Sequence, residues 1–109
     1  MREVEIQNVL KGMVLRIIEK FNPERIILFG SCAKGDTTPD SDIDILVVMP
    51  VEGSRRNKAN EIDLALADRT LPMDVIVVTP EQFERQKGLI GTIVSEAAKG
   101  GKVIYERAA

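Results

Sequence analysis

Between Val4 and Phe21, apolar side chains fall at Ile6, Leu10, Met13, Val14, Ile17, Ile18 and Phe21. Steps of three and four residues place them on one stripe of a helix. The pair Asn22-Pro23 ends it, because the residue before a proline is pushed away from helical backbone. Ile26 to Phe29 is short, apolar and partly β-branched, and stops at Gly30, which predicts a buried strand. A polar stretch follows, and Ile43, Ile45, Val47 and Val48 then predict a second strand, broken by Pro50 and Gly53. Arg55 to about Ala67 predicts a helix that buries Ile62, Ala65 and Leu66. Pro72 precedes a third strand, Asp74 to Val78. Thr79-Pro80-Glu81-Gln82 predicts the start of a short helix, with Thr79 as N-cap, Pro80 in the first helical position and Gln82 closing a capping box. Ile90 to Lys99 predicts a further helix, Gly100-Gly101 its stop, and Lys102 to Tyr105 a closing edge strand.

This order predicts an α/β fold, a single domain of 109 residues with a small mixed β-sheet packed by helices. A helix joins the second strand to the third, so those two are expected to be parallel, joined by a right-handed crossover. If the first strand runs antiparallel to the second, its C-terminal end, Gly30-Ser31, arrives where the other two begin. Side chains alternate along a strand. Ile43 and Ile45 then enter the core while Asp42 and Asp44 face the other way, and Asp74 joins them at the start of the third strand.

Composition narrows the chemistry. The net charge is -2, with basic residues scattered along the chain, which argues against an extensive nucleic-acid surface. No apolar run reaches the length of a membrane span, and the N-terminus MREVEIQ lacks a signal-peptide core, so a cytoplasmic location is expected. The single cysteine, Cys32, excludes an internal disulfide, and the absence of histidine excludes every histidine-based site.

Asp40, Asp42 and Asp44 place negative charge at every second position. Like charges on one face repel unless they share a cation. A calcium-binding EF-hand loop starting at Asp40 fails, since Ile45 falls where glycine is needed and Val51 where glutamate is needed. A Walker A loop fails too: Gly30 and Gly35 are correctly spaced, but Asp36-Thr37 follows. What remains is a Gly-Ser turn opposite carboxylates able to hold divalent metal, a combination suited to nucleoside triphosphates.

Gly30-Ser31, Ala33, Gly35, Ser41-Asp42-Ile43-Asp44 and Asp74 together resemble the signature of the DNA polymerase β-like nucleotidyltransferase superfamily. The short chain resembles its minimal nucleotidyltransferase group, as found in HEPN-MNT toxin-antitoxin pairs. The resemblance implies transfer of a nucleoside monophosphate, AMP from ATP, to a hydroxyl, with pyrophosphate leaving. Asp42, Asp44 and Asp74 would be the catalytic residues and the ligands of two Mg²⁺ ions. Gly30, Ser31, Lys34 and Ser41 would hold the triphosphate. One departure is Cys32, at a position where many members carry arginine. The acceptor implied is a partner protein, a helical HEPN-type toxin, which makes this chain the antitoxin; a homo-oligomer stays open. Two alternatives stand beside it: a small-molecule acceptor such as an aminoglycoside, and a non-catalytic module that binds nucleotide or a partner.

Overall fold

The computed structural model describes residues 3–30, 43–67 and 73–107. Helix α1 (Glu3–Phe21) is followed by strands β1 (Arg25–Phe29) and β2 (Ile43–Val48), helix α2 (Arg55–Ala65), strand β3 (Met73–Val78), helices α3 (Pro80–Gln86) and α4 (Ile93–Gly100), and strand β4 (Lys102–Glu106). The four strands form one sheet in the order β3-β2-β1-β4. β1 runs antiparallel to β2 and to β4, and β2 runs parallel to β3. This is the mixed α/β architecture expected from the sequence.

Both faces of the sheet are covered. On one, Leu10, Met13, Val14 and Ile17 of α1 and Ile62 of α2 pack on Ile26, Leu28, Ile43, Ile45 and Val47. On the other, Phe83 of α3 with Val94 and Ala97 of α4 packs on Ile27, Phe29, Leu46 and Val48. α1 ends where Asn22 takes a left-handed φ of 47° and its N–H donates to the Ile18 carbonyl at 3.1 Å, a turn that asparagine tolerates better than most residues.

Three local expectations need correction. α2 stops at Ala65, and the buried Leu66 is its C-cap rather than part of the helix. α4 begins at Ile93 rather than Ile90, because Gly91 takes a φ of 95° and Thr92 caps the helix. Thr92 Oγ1 accepts from the Ser95 N–H at 3.0 Å, and Ile90 is left outside, 89% exposed. At α3, Thr79 Oγ1 accepts from the Gln82 N–H at 3.1 Å as expected, but the Gln82 amide donates to Gln86 Oε1 instead of returning to the cap. Gln82 Oε1 is then buried without a partner among the described residues.

Candidate active site

The site is assembled at the end of the sheet where β1 stops and β2 and β3 begin. β1 and β2 are in register with Phe29 opposite Asp44, so Gly30 follows at the level of that carboxylate. β2 and β3 are in register with Asp44 beside Asp74, and neighbouring strands lie about 4.8 Å apart. Ile43, Ile45 and Met73 enter the core built by α1 and α2; by alternation, Asp44 and Asp74 stand together on the opposite face. Asp44 is half-buried and Asp74 exposed.

Gly30 has a φ of 76°, and a Cβ there would run into Asp44 Oδ2, with Asp44 Cγ at 3.4 Å. Only glycine satisfies both conditions: the left-handed backbone and the room for the carboxylate. Backbone thus passes directly over one of the two acids. Asp74 also borders a polar recess of about 320 Å³ shared with Ala59, Asn60, Asp63, Met73 and Val75. Asn60 and Asp63 escape a reading of the sequence, since each is an ordinary polar residue of an amphipathic helix. Their signal is the three-residue step on the helix that crosses over to β3, which places both beside the strand carrying Asp74.

Of the residues singled out from the sequence, the structure brings Gly30, Asp44 and Asp74 together. Ser31, Cys32, Lys34, Ser41 and Asp42 lie outside the described residues. Among the described residues no three acidic or cysteine side chains gather as a metal site. The donor set that is present, two carboxylates on adjacent strands beneath a glycine turn, consists of hard oxygen ligands and fits Mg²⁺. Arg55 and Arg56 sit at the far end of the crossover, beside Val75 to Val78, as the parallel connection requires.

Residues 10–99 match the nucleotidyltransferase domain family. The chain belongs to that family. A Methanocaldococcus jannaschii protein, proposed to be a protein adenylyltransferase, is 50% identical to it over 48 residues, 44% of this chain and 43% of that protein. The match therefore spans less than half of the relative's length. The crystal structure of a proposed nucleotidyltransferase from Sulfolobus solfataricus aligns with a TM-score of 0.69 at 22% identity, covering 96% of this chain and 84% of that one. A toxin-antitoxin crystal structure with AMP-PNP aligns with a TM-score of 0.54 at 20% identity, covering 88% and 73% of the two chains. At such identities these two likenesses establish a shared nucleotidyltransferase fold. Among the described residues no helix is long and apolar enough to cross a membrane.

Proposed function

We propose that this family member is an Mg²⁺-dependent adenylyltransferase that moves AMP from ATP to a hydroxyl of a partner protein. The observation that carries the reading is the register of Asp44 with Asp74 beneath the Gly30 turn. Two carboxylates in register on adjacent strands, with glycine backbone passing over one of them, are hard oxygen donors of the kind that bind a divalent cation carrying a nucleoside triphosphate. The partner in this reading is an HEPN-type toxin, with this chain as antitoxin. Support comes from the name of the M. jannaschii relative and from the toxin-antitoxin neighbour with AMP-PNP.

Asp42, Asp44 and Asp74 would hold two Mg²⁺ ions, which supply charge neutralisation on the triphosphate and on departing pyrophosphate. Gly30, whose missing Cβ lets backbone come close, would hold the phosphates together with Ser31, Lys34 and Ser41. Asp74, the exposed acid, accepts the proton of the acceptor hydroxyl. The hydroxyl oxygen attacks the α-phosphorus, the bond from that phosphorus to the bridging oxygen breaks, and pyrophosphate leaves with the bond's electrons. The acceptor ends as an AMP ester.

The test is to incubate the purified chain with α-labelled ATP, Mg²⁺ and lysate of its own source, beside an Asp44→Asn control. Label on a protein hydroxyl, present with the wild type and absent with Asp44→Asn, is the expected result. Label found only on a small molecule transfers the assignment to an aminoglycoside-type acceptor, and no label anywhere overturns the enzyme reading.

A further inference from the structure

β3 is an edge strand among the described residues, and its sequence, Met-Asp-Val-Ile-Val-Val, carries none of the lysines, prolines or bulges that usually protect an edge. A groove of about 450 Å³ runs beside it, floored by Val75 to Val78 and walled by α2 on one side and by α3 and α4 on the other. Four consecutive strand residues line this groove, so it follows the strand's edge rather than one face. Its apolar wall includes Ile93, 48% exposed. The groove shares Ala59 and Val75 with the recess that holds Asp74, so one continuous path leads along β3 to the candidate active site.

The charges along that path are ordered. The charged residues lining the groove are Arg55 and Arg56, both exposed, and neither has an ion-pair partner among the described residues. They lie toward the C-terminal end of β3, while Asp74 stands at the N-terminal end.

We infer that the β3 edge is the docking site for the acceptor: an extended segment of the partner protein that adds a strand to the sheet, delivers its hydroxyl residue opposite Asp74 and sets an acidic side chain against Arg55 and Arg56. This rests on the adenylyl-transfer reading above and adds where the acceptor binds and what it looks like. Strand addition supplies backbone hydrogen bonds that need no particular sequence, and alternate side chains supply the selection. Parity sets the spacing. Asp74 faces the α3 and α4 side, whereas α2 covers the side to which Val75 and Val77 belong, so the acidic residue is an odd number of positions from the hydroxyl. Three positions place it opposite Val77.

The probe is a fluorescein-labelled nine-residue peptide of alternating valine and threonine with a central tyrosine and a glutamate three residues away. A second peptide carries lysine in place of that glutamate. By fluorescence anisotropy at low salt, the glutamate peptide should bind at least about tenfold more tightly than the lysine peptide. The double variant Arg55→Glu, Arg56→Glu should reverse the preference, and it should fold normally because acids suit the first turn of a helix. In ¹⁵N spectra the largest amide shifts should fall on residues 75–78. Equal binding of both peptides, shifts centred elsewhere, or no binding of either would overturn the docking site. Binding is measured on Asp44→Asn as well as wild type. A peptide that binds both, and is labelled from α-labelled ATP by the wild type alone, supports docking and transfer together. Binding to both without label by either keeps the docking site and removes the transfer reading beneath it.

Discussion

The two ends of this sheet handle charge in opposite ways. Where β1 starts and β2 and β4 finish, a cavity of about 240 Å³ is lined by Glu24, Arg25, Phe83, Glu84, Glu106 and Arg107. There opposite charges meet: Arg25 lies 3.5 Å from Glu106, Arg107 4.0 Å from Glu24, and the Arg25 guanidinium sits 5.0 Å from the centroid of the Phe83 ring. At the other end two carboxylates of the same sign, Asp44 and Asp74, stand in register. A cluster of opposite charges closes the fold over its own ends, whereas two carboxylates in register on adjacent strands offer hard oxygen donors suited to a divalent cation.

The largest expected effects separate these roles within two neighbouring residues of β2. Asp44→Asn keeps the shape of the mouth and removes one charge, so nucleotidyl transfer should fall by about 10²- to 10⁴-fold, the range for a group acting at the reacting centre. Its melting temperature should stay level or rise slightly as repulsion with Asp74 is relieved. Ile43 is 1% exposed, and Ile43→Asp buries an unpaired charge that costs about 4 kcal/mol or more. It should unfold the domain, seen as loss of the cooperative thermal transition. A folded Ile43→Asp or an active Asp44→Asn breaks the comparison at its centre.

A gain of stability from outside is the next effect in size. Mg²⁺ with ATP at about 100 times its dissociation constant should add about 2.7 kcal/mol, read by calorimetry as a higher melting temperature that EDTA cancels. Asp44→Asn should lose most of that gain. No response to Mg²⁺ and ATP at millimolar concentration would leave the paired acids without a ligand.

Two glycines at the same end of the sheet sharpen the contrast further. Neither tolerates a Cβ: at Gly30 it would meet the Asp44 carboxylate, and at Gly101 it would meet the Ala97 carbonyl, Ile27 Cγ2 at 2.7 Å and the Leu28 carbonyl at 2.8 Å. Gly101 has an ordinary φ of -89°, so its demand is for space alone. Gly101→Ala should cost about 1–3 kcal/mol through overpacking and leave transfer per folded molecule unchanged. Gly30→Ala should cost about 1–2 kcal/mol for the left-handed backbone and also displace Asp44, lowering transfer per folded molecule. Activity normalised to the folded fraction distinguishes them.

How much of this was legible beforehand follows from which interactions are local. The order of elements came from periodicity, and the approach of Asp44 to Asp74 from strand parity and the handedness of one crossover, both nearly free of tertiary context. The start of α4 was hidden because Ile90, Ile93 and Val94 keep helical spacing across Gly91, whose φ of 95° no hydrophobic pattern reports. The side-chain half of the capping box failed because Gln82 had a competing partner in Gln86, one turn along. Asn60 and Asp63 reached the Asp74 recess through the fit of α2 against β3, which local sequence does not encode. The contributions of Ser31, Lys34, Ser41 and Asp42 stand on the resemblance and the proposal built on it.

The smallest expected effect lies at the neutralised end and tests whether pairing there is structural. Arg25 and Glu106 have side chains 32% and 60% exposed, and such exposed pairs contribute about 0.2–1 kcal/mol. Arg25→Met keeps much of the apolar stem over Phe83 while removing the charge, so the loss should fall within that range, a few degrees of melting temperature at most. The difference should shrink between about 0.1 and 1 M salt as screening tightens. Transfer should be untouched, because no atom of the mouth is involved. Glu84 supplies a second readout of the same change. Its carboxyl is held below the ordinary value by the hydrogen bond and charge of Lys87 first, with the Arg25 charge as the smallest contributor. A lowered carboxyl stabilises the fold above its unfolded pKa, and that contribution disappears as pH falls through the folded value. Removing Arg25 should therefore move the Glu84 titration, followed by NMR, only slightly back toward the ordinary range, whereas Lys87→Met should move it most of the way. A large shift with Arg25→Met would mean that the charges of this end act as one network rather than as separate pairs.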